Sequence, residues 1–274
     1  MAFVAKGSFF AAAIAAATLA TAGVAQAAAQ CGNNSAGFKS WVEEYKQEAQ
    51  AQGAGNRALR ALDTVSYASK TINADRNQKS FKYSLNKFMQ VRGAQTIISR
   101  GKKQKAQNAA LFSRIEQRYG VPAGPLLAIW GMETGFGSYL GNQNTLSAVA
   151  TLAYDCRRTE YFRNQLRAAL QLVDNGTLSP DARGAMHGEI GQTQFLPVNV
   201  LKYGADGDGN GRIDMVRSKA DAMASTANFL RGHGWQPGAG YQPGQANFSA
   251  IQGWNSASVY QQAIAIIGAQ IDGE

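Results

Sequence analysis

Cysteine and histidine are nearly missing from this chain of 274 residues, which holds two of each. That excludes a disulfide-dense scaffold and a zinc centre built mainly from Cys and His. Charge is sparse at 16% and lopsided: 18 Asp and Glu face 27 Lys and Arg, for a formal net charge of +9. Few stretches alternate with period two, which argues against an extensive sheet, and no long repeat is visible. Past residue 30 there is no second long apolar run, so no stable membrane span is expected in the processed chain. What is abundant is apolar side chain, at 45%. A sizeable core can be buried and wholesale disorder is excluded. The length fits one large domain or two modest ones.

The chain starts with a targeting pattern. One charge, Lys6, precedes an uncharged, Ala-rich stretch from Gly7 to Ala29. Ala25, Gln26 and Ala27 form a small-x-small cleavage site, with residues 27–29 as a second choice. Residues 1–27 read as a secretory signal peptide; the competing reading is a membrane anchor. Lipidation at Cys31 is disfavoured by Gln30 before it. Export places Cys31 and Cys156 in an oxidising compartment, where they form one disulfide or stay as two buried thiols.

Helical periodicity recurs over Ser40–Gln52, Arg57–Thr64, 106–119, Gly124–Thr134, Leu146–Tyr154, Glu160–Val173, Ala222–Arg231 and Ser258–Ile271. Residues 67–87 carry a basic cluster of Lys70, Arg76, Lys79, Lys82 and Lys87. Residues 236–247 (QPGAGYQPGQAN) must be loop. The expected architecture is mainly α: a helical N-terminal flank over 28–105 and a catalytic body over 106–274 carrying a calcium-like loop at 206–221.

Two constellations carry chemistry. Leu126, Ile129, Trp130 and Glu133 fall at i, i+3, i+4 and i+7 and so share one helical face. An inward-facing carboxyl is desolvated, its pKa rises, and it can act as a general acid near neutral pH. The bland alternative is a helix-end Glu, solvated or paired with an arginine. The second is DGDGNGRID at 206–214. It has oxygen side chains at positions 1, 3 and 5 and Gly at 6, the front half of an EF-hand-like calcium loop. Position 12 is Arg217, so the closing carboxylate must come from elsewhere, and Asp221 is nearest. Ser218 to Asp221 also reads as a capping box. The alternative is a Gly/Asp turn without metal.

Together with YGVP (119–122), WGMETGFG (130–137), ATLAY (150–154), RRTEYF (157–162), GEIGQTQFLP (188–197), ANFL (227–230) and Gly234-Trp235, these pieces resemble the lytic murein transglycosylases of the membrane-bound lytic murein transglycosylase B-like family over roughly residues 38–272. The resemblance implies a lysozyme-like catalytic domain and a single acid/base, Glu133. It places Gln194 in the sugar groove, with Trp254, Asn255 and Tyr260 near it. It assigns Asp206, Asp208, Asn210, the Arg212 carbonyl and Asp221 to a structural calcium ion, with Asp214 as an alternative, and no cofactor for catalysis. Tyr154, Trp254 and Tyr260 offer faces for sugar stacking. Arg157 and Arg158 bind substrate carboxylates or pair with Glu160. Three positions depart from the family pattern: Glu189 for Ala, Ala185 for Ser and Phe229 for Tyr.

The implied reaction is non-hydrolytic cleavage of the β-1,4 bond between N-acetylmuramic acid and N-acetylglucosamine, leaving 1,6-anhydro ends. The implied setting is the periplasm, with peptidoglycan strands as partner and a monomer as the working form. A basic surface suits an anionic wall polymer, and no nucleic-acid motif is present. The competing functions are a lysozyme-type hydrolase and a non-catalytic wall-binding protein.

Overall fold

The structure is a computed structural model that describes residues 1, 29–77 and 83–273. The signal-peptide assignment, Lys79 and Lys82 lie outside the described residues. Within them thirteen helices and one two-stranded ribbon occur. Helices α1 (Phe38–Ala51), α2 (Asn56–Leu62) and α3 (Ser69–Arg76) come first, followed by α4 (Leu85–Val91), α5 (Ala94–Gln107), α6 (Ala109–Tyr119) and α7 (Ala123–Thr134). Strand β1 (Gln143–Asn144) pairs antiparallel with β2 (Arg183–Gly184), on either side of α8 (Thr145–Tyr154) and α9 (Thr159–Asp174). The chain closes with α10 (Pro197–Tyr203), α11 (Lys219–Gly232), α12 (Phe248–Trp254) and α13 (Ser258–Asp272).

Helix starts follow local chemistry. Ser84, Asn144 and Ser218 each cap with a side-chain oxygen that accepts from the backbone N–H three residues on. Ser218 does so toward Asp221, the first half of the expected capping box; the return bond is absent among the described residues, because Ser218 N–H donates to the Asp214 carbonyl at 3.1 Å. Pro197 opens α10, where its missing N–H costs nothing. The helix expected at 106–119 is α6, which starts at Ala109, while residues 106–107 end α5, a helix not expected from the sequence. Asn108 separates the two, donating its carboxamide to the Gln104 carbonyl at 2.9 Å.

Two apolar clusters form. In one, Phe38, Trp41, Tyr45 and Leu59 from α1 and α2 pack on α8 and α9. In the other, α4 to α7 and α10 to α13 pack together around α7. Helix α7 is buried on every side: eleven of its twelve residues are buried, and Glu133 is the exception. It crosses α13 at glycines. A Cβ on Gly124 would meet the Gly268 carbonyl at 2.3 Å, so only glycine permits that approach. The N-terminal segment is fastened by a Cys31–Cys156 disulfide with Cα atoms 5.0 Å apart, beside which Gly32 N–H donates to the Tyr154 carbonyl at 2.9 Å.

Candidate active site

Helix α7 ends in a run of left-handed backbone: Gly135, Phe136 and Gly137 have φ of 57°, 61° and 76°. Thr134 pins this turn. Its hydroxyl donates to the Gln192 carbonyl at 2.6 Å and accepts from Gly137 N–H at 2.9 Å. The turn is thereby tied to the 188–197 segment, and Glu133 is left at the mouth of the core.

One carboxyl oxygen of Glu133, Oε1, accepts from the Tyr260 hydroxyl at 2.7 Å and from Trp254 Nε1–H at 3.1 Å. No protein hydrogen bond to Oε2 occurs among the described residues. Burial raises the Glu133 pKa; the Tyr260 and Trp254 hydrogen bonds oppose that, the Glu189 charge adds to it, and the Arg92 charge opposes it. The net direction is upward, as a general acid requires. Burial, then the Glu133 charge, pushes Tyr260 well above the ordinary phenol value, so it stays a donor.

Glu189 lies in a contrasting environment. Burial pushes its pKa up, but hydrogen bonds and charge from His187 outweigh this and the net direction is downward. Its Oε1 faces His187 Nδ1 at 3.1 Å, and its Oε2 accepts from His187 N–H at 2.9 Å. An ionised Glu189 accepts only, so His187 Nδ1 is the donor in this contact.

Several expected site residues take different places. The ring of Tyr154 is 4% exposed and packs among Phe38, Trp41 and Tyr67. That corrects the stacking expectation, because no face is free for a sugar. Tyr260 is likewise 3% exposed, and its hydroxyl donates to Glu133. Trp254 is braced by Phe195 and Phe229, at 5.4 and 5.1 Å between centroids, and aims its N–H at Glu133. The departure at Phe229 therefore supports Trp254 from a buried position. Arg157 and Arg158 pair with the buried Asp75, which corrects the pairing with Glu160. The Asn255 side-chain oxygen accepts from Ala257 N–H at 2.9 Å and its carbonyl accepts from Gln261 Nε2 at 2.7 Å, so Asn255 locks the corner between α12 and α13. Gln194, with φ of 54°, donates to the Gly191 carbonyl at 2.6 Å.

Sequence reasoning missed Arg92, Phe88, Asp75 and His187. Helix α4 is too short to show a period, and nothing near Asp75 signals that it is buried.

In the acidic loop, oxygens of Asp206, Asp208 and Asp221 lie within 4.8 Å of one another. Asp221 is fully buried and accepts from Gly207 and Asp214 N–H at 2.8 and 2.7 Å. Asp206 accepts from Gly211 and Gly209 N–H, both at 2.7 Å. These bonds, that of Gly211 foremost, lower its pKa and keep it ionised. The Asn210 amide oxygen accepts from Arg212 N–H at 2.9 Å. Asp214 turns to Arg217 instead, at 2.8 Å. Three converging hard oxygens fit a calcium ion in chemistry.

The transglycosylase SLT domain family matches residues 37–245. Over 129 residues the chain is 35% identical to membrane-bound lytic murein transglycosylase B of Escherichia coli K12, a stretch covering 46% of this chain and 36% of that protein. The chain thus spans about a third of that relative's length. Among solved structures it is similar to SltB3 from Pseudomonas aeruginosa in complex with NAG-anhNAM-pentapeptide, with TM-score 0.80 and 28% identity over 86% of this chain and 80% of that one. The Escherichia coli lytic transglycosylase Slt35 in complex with calcium shares the fold, with TM-score 0.76 and 22% identity over 89% of this chain and 96% of that one.

Proposed function

The chain belongs to the transglycosylase SLT domain family, and from that premise we propose that it is a lytic transglycosylase acting on peptidoglycan in the periplasm. The observation that carries the reading is the half-open carboxyl of Glu133, with Oε1 held by two donors and Oε2 accepting from no protein group among the described residues. Glu133 delivers its proton to the glycosidic oxygen between N-acetylmuramic acid and N-acetylglucosamine as the C1–O bond breaks. The positive charge at C1 is shared with the ring oxygen and the neighbouring N-acetyl group. The ionised Glu133, steadied by Tyr260 and Trp254, then takes the proton of the C6 hydroxyl as O6 closes on C1. The product is a 1,6-anhydro end, Glu133 is protonated again, and no water is consumed. SltB3 was crystallised with a NAG-anhNAM-pentapeptide, and the same product class is assigned to this chain by analogy.

Further parts of the reading rest on sequence. The first 27 residues direct export, residues 28–105 flank the body at 106–274, and the working form is a monomer. Gln194 and Asn255 contact sugar amides with the donor and acceptor atoms they have left. Arg157 and Arg158, half-exposed beyond Asp75, reach substrate carboxylates. Asp206, Asp208 and Asp221, with Asn210 and the Arg212 carbonyl, hold a calcium ion that stiffens the loop and takes no part in the chemistry. A two-carboxylate hydrolase is the weaker reading, since both oxygens of Glu189 are engaged by His187.

Mass spectrometry of sacculi digested by the purified protein tests this. Anhydro-muropeptides are expected from wild type and none from Glu133→Gln, which should still sediment with sacculi. Reducing muramic acid ends would overturn the transglycosylase assignment, and equal cleavage by both proteins would overturn that of Glu133.

A further inference from the structure

Several arginines of the described residues are spent on protein partners. Arg157 and Arg158 pair with Asp75, Arg76 pairs with Asp155 at 2.7 Å, and Arg163 pairs with Glu48. Arg100 donates to the Gly135 carbonyl at 3.0 Å and to Ser138 Oγ at 3.3 Å. Arg92 differs. Among the described residues no carboxylate lies within ion-pair distance of it and no acceptor takes a hydrogen bond from its guanidinium.

Its position is nonetheless fixed. Phe88, 1% exposed, anchors α4 and stands edge-on to Tyr260 at 5.7 Å. The Arg92 Cζ lies 5.2 Å from the Phe88 centroid and 5.7 Å from the Tyr260 centroid. A cation–π contact uses no N–H donor in a hydrogen bond to an acceptor atom, so the guanidinium keeps its donors for a ligand. Arg92 is half-buried, so those donors are reachable. It stands one ring away from the hydroxyl that holds Glu133.

We propose that Arg92 is the anion-recognition group of this site, binding a carboxylate of the glycan strand while Glu133 acts on the adjacent glycosidic bond. This deepens the transglycosylase reading and rests on it. A carboxylate is the anion such a strand offers, either at the end of a stem peptide or on the lactyl group of a stem-free sugar. The planar fork of an arginine matches it with two parallel hydrogen bonds.

Electrostatics gives the binding a catalytic consequence. The ionisable groups acting on Glu133 are Tyr260, Glu189 and Arg92. Arg92 favours the ionised form of Glu133, which opposes its use as an acid. A bound substrate carboxylate neutralises that effect. Glu133 is then the stronger proton holder in the complex than in the free enzyme, so proton donation is coupled to occupancy by the correct strand.

The test uses the full mature chain. Affinities of Glu133→Gln and of Glu133→Gln with Arg92→Gln are measured by calorimetry. The probes are stem-bearing glycan fragments, stem-free fragments, and each after carbodiimide amidation of the carboxylates. Loss of one charge-assisted contact predicts binding weakened about tenfold or more by Arg92→Gln, on unblocked fragments alone. The arm that shows the loss identifies the source as stem or lactyl carboxylate. Arg92→Lys, which keeps charge but not the fork, should fall between. With an otherwise wild-type site, the basic limb of kcat should sit at higher pH than that of kcat/KM, and Arg92→Gln should merge the two. Equal weakening on blocked and unblocked fragments, or none on either, overturns the proposal. Because affinity is read in an inactive background, the outcome stands apart from product chemistry, which tests the transglycosylase reading separately.

Discussion

Replacing Tyr260 by Phe probes the heart of the site with little collateral change. The ring is 3% exposed and its edge-on contact with Phe88 needs no hydroxyl. The variant deletes one O–H donated to Glu133 Oε1 at 2.7 Å, leaving the Trp254 N–H at 3.1 Å. Hydrogen bonds to charged groups contribute about 1.5–3 kcal/mol. If that difference is expressed fully as Glu133 ionises in the transition state, kcat falls about 10- to 100-fold. The pH profile must move as well. The Tyr260 bond favours the ionised carboxylate and so lowers a pKa that burial has raised. Without it the pKa climbs further, and the basic limb of kcat/KM, which reports the protonated acid, moves to higher pH. The assay is the initial rate of anhydro-muropeptide release across neutral to alkaline pH. An unchanged rate, or a basic limb that stays put or moves downward, would refute this account of the carboxyl group.

Glu189→Gln should move the same limb the other way, to lower pH, because the Glu189 charge helps keep Glu133 protonated; a shift upward would contradict that electrostatic relation. Cys31→Ser with Cys156→Ser removes a link between residues 125 apart and should lower urea stability by about 2–4 kcal/mol; an unchanged midpoint would mean the bridge does not form in solution. Calcium at a hundred times its Kd should add about 2.7 kcal/mol by mass action, seen as a higher Tm that Asp208→Asn abolishes without slowing cleavage; no shift on adding calcium or chelator removes the ion assignment.

The fold was largely legible where helices were long, except for the fourteen residues of α5. The period of Leu126, Ile129 and Trp130 located α7 and set Glu133 beside its apolar residues, but it showed one buried face where the structure buries all of them. Burial all round depends on α5 and α13 closing over α7, and spacing within α7 cannot register that. Helices α3, α4, α10 and α12 have seven or eight residues, just over two turns at most, which leaves little period to read, although α2, as short, was legible. Tyr154 exposes the same limit at the site. An aromatic at a helix end packs or stacks according to its neighbours, and Phe38, Trp41 and Tyr67 reach it from more than eighty residues away in sequence. The disulfide was legible for the opposite reason: with two cysteines there is one pairing.

The contrasting environments of Glu133 and Glu189 support the single-acid reaction proposed above. Glu133 receives donors on one oxygen from neutral groups and is otherwise desolvated, so it favours its proton. Glu189 is held on both oxygens by His187, whose other ring nitrogen is 3.7 Å from the arginine-paired Asp75. That chain anchors Glu189 as a fixed anion with a lowered pKa. A carboxylate of lowered pKa is a weak base, and hydrolysis needs its second carboxylate to take a proton from water or to attack carbon itself. Glu189 instead acts at a distance, through the charge that helps Glu133 remain protonated. In the proposed reaction, with Glu189 held as an anion, the nucleophile is the C6 hydroxyl of the same sugar and not water. Glu133, having just lost its proton, is the group in position to accept the one that hydroxyl gives up.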